Sequence, residues 1–567
     1  MLDLQKKYLS EELDADGNLV SYELNAPDDF NFAYDIIDLL GTETPDRRAM
    51  RWVDDNGNRT DLTFADVKRG SDRAASFFLE QGIGRGDRVM LILRRHYQFW
   101  FAILGLHKIG AVAIPATYQL LKEDIIYRLE IADVKAVLCT DYGPISDEVD
   151  EAVEEYEKPV LKIMVGDSHT DWHNFDLGLS VAPDFQALEG EDRAGGQDLM
   201  LLYFTSGTEG NPKMVAHNYT YPIAHIPTAK YWQKVDPDGL HLSVSDTGWA
   251  KSVWGKIYGQ WLMEAGVYVY DFAIFNPARM LKRIQADEVT TLCAPPTTFR
   301  YLTQEMDANL GVYDLSKLQH LTTAGEALMP EVFNDVKRLM GLDIKEGFGQ
   351  TETVLSCYTP YWIDSKIGSM GVAMDTYEIV LLDRAGNELP YGSTGEICVK
   401  ADRDNPPIGV FSGYIGDNAD EVMDNIWYDG YYHTGDEAST DEDGYFYYVG
   451  RLDDMIKTSG FRVGPFEVES VILEHPAVLE CAVTGLPDKN RGQIIKATII
   501  LKDGYTASRE LERDIKKFAR TRTATYKSPR VIEFAADLPK TVSGKVRRKA
   551  IRAQDNGEAK AEATETA

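Results

Sequence analysis

The sequence predicts an α/β protein built on largely parallel, buried sheets, and three observations predict it. Short apolar runs recur along the first two thirds of the chain. Stretches of helical periodicity separate them. The runs are apolar on both faces, as strands covered by helices on either side must be. At 567 residues the chain is too long for one compact core, so two or more domains are expected.

Arg88 to Leu93 reads as a strand, His96 to Ile109 as a helix and Ala111 to Ala116 as the next strand. Asp133 to Thr140, Pro159 to Val165, Leu199 to Phe204, Thr290 to Ala294 and His320 to Ala324 repeat the strand signal. From Tyr377 the texture changes to a β-rich part. Glu378 to Leu382, a turn at Arg384-Ala385-Gly386-Asn387, Gly395 to Lys400 and Tyr445 to Val449 read as antiparallel strands. A boundary is placed near Arg451-Leu452-Asp453-Asp454. Beyond it, helices at Pro465 to Glu474 and Ser508 to Arg520 mix with strands at Val478 to Val483, Ile494 to Leu501 and Val531 to Phe534. This forms a small α+β domain. The expected domains are 1–452 and 453–555, followed by a disordered tail at 556–567 whose residues are small and charged.

Composition is that of a soluble globular protein, 44% apolar, but the net charge is −32. Such a surface argues against nucleic-acid or anionic-membrane binding and requires any polyanion site to be a local positive island. The five cysteines, 139, 293, 357, 398 and 481, lie far apart with no C-x-x-C pair, so neither a disulfide framework nor a zinc motif is read. His217, His225 and His433 show no H-E-x-x-H spacing. Reduced thiols, an acidic Met1 to Ser21 unlike a signal or basic transit peptide, and charges at Arg94, Arg95, His96 and Lys108 inside the most apolar region lead to the expectation of a cytoplasmic protein with no membrane span. Oligomerisation is left open.

The most informative stretch is Thr205-Ser206-Gly207-Thr208-Glu209-Gly210-Asn211-Pro212-Lys213, which follows the apolar run ending at Phe204. Glycines permit close backbone approach, while hydroxyls and an ammonium meet negative charge, so the loop suits a polyphosphate. Its spacing is not that of the P-loop, because Lys213 is followed by Met214 rather than by serine or threonine.

Four further segments carry chemistry: Glu346-Gly347-Phe348-Gly349-Gln350-Thr351-Glu352; Tyr432-His433-Thr434-Gly435-Asp436; Gly450-Arg451 through Ser459-Gly460-Phe461-Arg462 to Glu467; and Pro539-Lys540-Thr541-Val542-Ser543-Gly544-Lys545. In this order they resemble the AMP-forming adenylate-forming superfamily, over roughly residues 50 to 550. Ser245-Asp246-Thr247-Gly248-Trp249, Pro115 to Leu120 and Ser459 to Glu467 are most similar to medium-chain acyl-CoA synthetases.

The resemblance implies a large N-terminal region, a small mobile C-terminal domain and two half-reactions. An acid first attacks the α-phosphorus of ATP, releasing pyrophosphate. The thiol of coenzyme A then displaces AMP. It implies that Lys545 reaches the α-phosphate and carboxylate, and that residues 205 to 213 hold the outer phosphates. Glu352 binds Mg2+ with Thr208 nearby, and Asp436 and Arg451 hold the ribose. Phe348, where the family commonly has tyrosine, stacks on adenine, and Gly325, Glu326 and Ala327 line that site. Asp453 is the hinge and Gly460 lines the pantetheine tunnel. Ser459, Phe461, Arg462, Arg491 and Lys527 are the candidates for coenzyme A, although plain surface charge explains Arg491 and Lys527 equally well.

For the acyl group, Trp249 is the leading pocket candidate, followed by Gln119 and Trp254. Trp254, Tyr258 and Trp261 lie at i, i+4 and i+7, one helical face that reads either as pocket wall or as core. Medium-chain, short branched-chain and aromatic acids remain open as substrates.

Overall fold

The computed structural model describes residues 1–167, 169–205, 212–459, 461–540 and 545–556. The chain divides into two compact units. The first holds Met1–Thr205, Pro212–Glu378 and Lys400–Gly430; the second holds Ile379–Val399 and the chain from Tyr431 onward. The division expected at 452/453 therefore falls inside the second unit.

The first unit contains two sheets. In one, the parallel strands Leu199–Thr205, Val112–Pro115, Arg88–Ile92, Ala136–Thr140, Leu161–Val165 and His173–Asn174 lie side by side. Lys213–Asn218 and then Gly413–Ile415 extend it in antiparallel fashion. In the other, Ile344–Gly349, His320–Ala324, Thr291–Cys293, Leu240–Ser243, Gly266–Asp271 and Arg48–Asp54 are parallel. Antiparallel strands flank them: Arg59–Thr63 on one side and Leu355–Tyr358 with Ser369–Ala373 on the other. The α/β expectation is met, with antiparallel edges that apolar runs alone do not announce.

Helices cover these sheets for local reasons. Phe64–Glu80 starts on a capping box: the Thr63 hydroxyl accepts from the Asp66 amide and the Asp66 carboxylate from the Thr63 amide. It packs against Gln98–Lys108 at two glycine contacts. A Cβ on Gly70 would lie 2.5 Å from the Phe101 ring, and one on Gly105 would lie 2.7 Å from the Ala74 methyl. Near the amino terminus, the carboxylate of buried Glu264 accepts from the Leu2 amide at 2.8 Å and from the Leu4 amide, and its own carbonyl accepts from Arg47 Nε at 2.9 Å.

In the second unit, Ile379–Leu382, Thr394–Lys400, Tyr431–Thr440 and Tyr445–Arg451 form an antiparallel sheet. A second sheet orders Phe461–Val463, Ile456–Thr458, Gly492–Leu501 and Val478–Asp488, with Val531–Phe534 parallel to Gly492–Leu501. Its core is Ile456, Val468, Ile472, Val483, Ile499 and Ile515, beneath the helices Pro465–Leu473 and Arg509–Arg522. The helix Arg548–Asn556 is tied down by ion pairs. Arg548 pairs with Glu469 at 2.8 Å and Arg552 with Asp454 at 2.6 Å. Among the described residues no helix is long and apolar enough to cross a membrane.

Candidate active site

The first unit carries several of the candidate motifs at strand ends. Leu199–Thr205 and Lys213–Asn218 form the two arms of an antiparallel pair in which Thr205 faces Lys213. Ser206, Gly207, Thr208, Glu209 and Gly210, which connect them in the sequence, lie outside the described residues, as does Gly460. Gly413–Ile415 pairs with the outer arm and sets Tyr414 beside it. The Lys213 ammonium stands 5.1 Å from the Tyr414 ring centre, a cation–π distance. The Tyr414 hydroxyl donates to Glu352 Oε1 at 2.7 Å, and the Phe411 amide donates to the Glu352 carbonyl at 2.8 Å. Glu352 and Lys213, far apart in sequence, are thus linked through one phenol ring that sequence reasoning missed.

Glu346 to Gly349 lie on a strand whose parallel neighbour ends at Ala324, in register with Gly347. The Gly325-Glu326-Ala327 loop therefore emerges beside them, with Gly325 at φ +97°. Glu346 secures that loop, because its buried Oε1 accepts from the Leu328 amide at 3.1 Å. Burial pushes its carboxyl up to about 8, so it is largely protonated at neutral pH. Glu326, at the exposed tip, accepts from the Thr297 hydroxyl at 2.8 Å. Phe348 is half-buried and Gln350 donates its amide to Thr353 Oγ1 at 3.2 Å. The Thr351 carbonyl meets His217 Nε2 at 2.7 Å. Burial holds His217 down at about 4, so this imidazole is a neutral fixture and no proton shuttle.

The acyl candidates divide. A Cβ on Gly248 would lie 2.3 Å from the Thr117 amide nitrogen, so the Ser245–Trp249 loop and the Thr117–Gln119 segment touch only because residue 248 is glycine. Trp249 is half-buried and Gln119 is exposed. Trp254 is buried, with its Cη2 3.0 Å from where a Gly349 Cβ would stand. The continuous helical face expected for Trp254, Tyr258 and Trp261 is not formed. Lys251–Lys256 and Tyr258–Leu262 are separate helices broken at Ile257, whose φ of −140° and ψ of −83° are not helical. All three rings are nonetheless core, and Trp261 donates its indole N–H to the Ala49 carbonyl at 3.0 Å.

The second unit holds the other motifs. Asp436 and Arg451 are directly opposite cross-strand partners, 3.4 Å apart between Oδ2 and Nη1. Tyr448, also missed from the sequence, donates its hydroxyl to Asp436 Oδ1 at 3.0 Å, and Arg451 Nη1 donates to the Thr434 carbonyl at 3.0 Å. Exposed Asp453 lies 3.5 Å from Arg451 Nε. Exposed Lys545 begins the segment leading into Arg548–Asn556.

The coenzyme A candidates cluster in part. Ser459, at φ +51°, accepts from Arg491 Nη1 at 3.1 Å. Phe461 stacks on Tyr526 with ring centres 4.2 Å apart, beside Lys527, which is ion-paired to Glu467. Arg462 stands apart, 3.7 Å from Glu437.

Residues 40–415 match the AMP-binding enzyme family and residues 467–545 match the AMP-binding enzyme C-terminal domain. The mitochondrial acyl-coenzyme A synthetase ACSM4 of Mus musculus is 37% identical over 94% of this chain and 92% of its own length. The Rattus norvegicus ACSM3, also mitochondrial, is 36% identical with the same coverage. An anthranilate CoA ligase in complex with anthranoyl-AMP superposes with a TM-score of 0.82 at 25% identity, covering 94% of this chain and 99% of that one. The mitochondrial designation of these relatives overturns the expectation of a cytoplasmic protein. The five cysteines are free and buried, which does not identify a compartment. The chain belongs to the AMP-binding enzyme family.

Proposed function

We propose that this protein is an AMP-forming carboxylic acid–CoA ligase. It activates a medium-chain, short branched-chain or aromatic acid as an acyl adenylate and passes the acyl group to coenzyme A. The observation that carries the reading is the Lys213–Tyr414–Glu352 chain, which links a cation and a half-buried carboxylate where Lys213 pairs with Thr205 at the end of the antiparallel strands.

The chemical difficulty of the first half-reaction is electrostatic, since a carboxylate must approach a polyphosphate. Lys213 and the residues 205 to 210 hold the outer phosphates. Glu352 fits a Mg2+ site: it is an acceptor-only carboxylate held in place by Tyr414, and one carboxylate with phosphates and water satisfies this ion, which neutralises phosphate charge when bound. Lys545 brings positive charge to the α-phosphate and the attacking carboxylate. Asp436 accepts from the ribose hydroxyls with Arg451 beside it, Phe348 faces adenine, and Gly325 to Ala327 border it. Trp249 and Gln119 bound the acyl group. For the second half-reaction, rotation about Asp453 exchanges Lys545 for Ser459, Gly460 and Phe461, with Arg462, Arg491 and Lys527 meeting the phosphates of coenzyme A.

The relatives named as acyl-coenzyme A synthetases support an acyl-CoA product, the medium-chain reading rests on the motif resemblance, and an aromatic reading follows the anthranilate CoA ligase. The test is a panel of carboxylic acids assayed for acid-dependent ATP–pyrophosphate exchange, then for AMP and thioester release with coenzyme A. Absence of exchange with every acid would overturn the proposal. Exchange without thioester formation from free coenzyme A would redirect it to a carrier-bound thiol.

A further inference from the structure

We propose that the second unit contains a metal site for a zinc-type divalent cation, made by Glu396, Cys398 and His433. The three side chains come from the neighbouring strands Thr394–Lys400 and Tyr431–Thr440. Glu396 and Cys398 share one face by period-two alternation, and His433 reaches them from across the sheet. Its Nδ1 lies 3.0 Å from Glu396 Oε2 and 3.5 Å from Cys398 Sγ, and one donor atom from each residue falls within 4.8 Å of the others. A tetrahedral zinc ion with ordinary bond lengths needs its nitrogen about 3.4 Å from a ligand oxygen and about 3.6 Å from a ligand sulfur. The present spacings need little adjustment.

The donor set is also that of zinc. Thiolate, imidazole and carboxylate together suit a borderline-soft ion and not Mg2+ or Ca2+. His433 and Glu396 side chains retain 9% and 16% exposure, which opens the fourth position to water. The carboxylate is already oriented by a further contact, because Glu396 Oε1 accepts from the Gly435 amide at 3.0 Å. Such support from behind is what holds ligands in place. On binding, His433 ligates as the neutral imidazole through Nδ1, its single ring proton moving from Nδ1 to Nε2, and the Cys398 thiol loses one proton to solvent. The absence of a local zinc spacing in the sequence does not bear on this site, since its ligands meet only through strand pairing.

The test uses the full-length protein, freed of metal by a chelator and kept free of ATP, titrated with Co2+ and then Zn2+. The expected result is one Co2+ per chain with a thiolate-to-cobalt charge-transfer band in the near ultraviolet, displaced by Zn2+, together with a rise in Tm on zinc addition. Cys398→Ser abolishes the band, and His433→Gln weakens binding by at least tenfold. No band at stoichiometric Co2+, or a band that persists in Cys398→Ser because another thiol supplies it, overturns the proposal. Where Cys398→Ser fails to fold by circular dichroism, His433→Gln decides, and unchanged affinity there overturns the proposal as well. None of these readouts depends on ligase activity.

Discussion

The two units differ in how they hold their polar working groups. In the first, Glu346 and Glu352 are fixed by bonds to backbone and phenol and are at most half-exposed, and Lys213 sits at the end of a paired strand. In the second, Asp436 is equally fixed by Tyr448 and Arg451, but Asp453, Ser459, Arg491 and Lys545 stand exposed on short connections and Phe461 stands exposed at the start of a short strand. Groups that serve a single step can be locked at folding, because preorganised charge gains most from immobility. Groups that serve one step and then withdraw must keep the freedom that exposure allows. The proposed division of labour follows that difference, and it can be broken at several points.

The largest effect is expected at Lys545. Lys545→Ala should lower acid-dependent pyrophosphate exchange by about 10²–10³ or more, while thioester formation from preformed adenylate changes little. Equal loss in both half-reactions would place Lys545 among the locked groups and end the contrast. Glu352→Gln should also cost about 10² in exchange, whereas Tyr414→Phe, which removes only a supporting hydrogen bond, should cost about tenfold. A full-sized loss in the phenylalanine variant would show that the phenol acts on substrate directly.

In the second unit, Asp436→Asn should raise the KM for ATP by about tenfold or more, because hydrogen bonds to a charged acceptor are the stronger ones, and Tyr448→Phe should raise it by a few fold. Both are read from initial rates at saturating acid. An unchanged KM in Asp436→Asn would remove the ribose assignment.

The smallest effect concerns pH. Glu346 is raised from its ordinary 4.5 to about 8. Between those values the folded protein keeps a proton that the unfolded chain has released. The wild type therefore loses stability as pH rises through this window. Glu346→Gln removes that slope, so the Tm difference, variant minus wild type, should grow with pH. A constant difference would show that the carboxyl ionises normally.

Much of the scaffold was legible. Strands at Arg88–Ile92, Ala136–Thr140, Leu161–Val165, Leu199–Thr205 and His320–Ala324 appear where apolar runs were read, within a few residues. Full burial between helices leaves an unbroken apolar signature. Lys213–Asn218 escaped notice because its polar ends, Lys213 and Asn218, merge with the phosphate-loop motif. The break at Ile257 was signalled by the flanking glycines Gly255 and Gly259, which the i, i+4, i+7 spacing of the aromatic residues masked; both glycines sit where a Cβ would collide, 2.6 Å from Ser243 and 2.4 Å from the His225 carbonyl oxygen. The motifs named the candidate working residues. Their supports, Tyr414, Tyr448 and the burial of Glu346, arise from strand pairing between distant segments, and no local pattern records them.

The attachment of Leu2 and Leu4 to Glu264 has a practical consequence. Trimming the opening residues to tidy an expression clone would strip partners from a carboxylate that is 1% exposed. A buried carboxylate that loses hydrogen-bond donors costs the fold stability. The first four residues thus behave as a plug for the domain they precede, and shortened versions should be judged by melting temperature before any loss of turnover is blamed on the active centre.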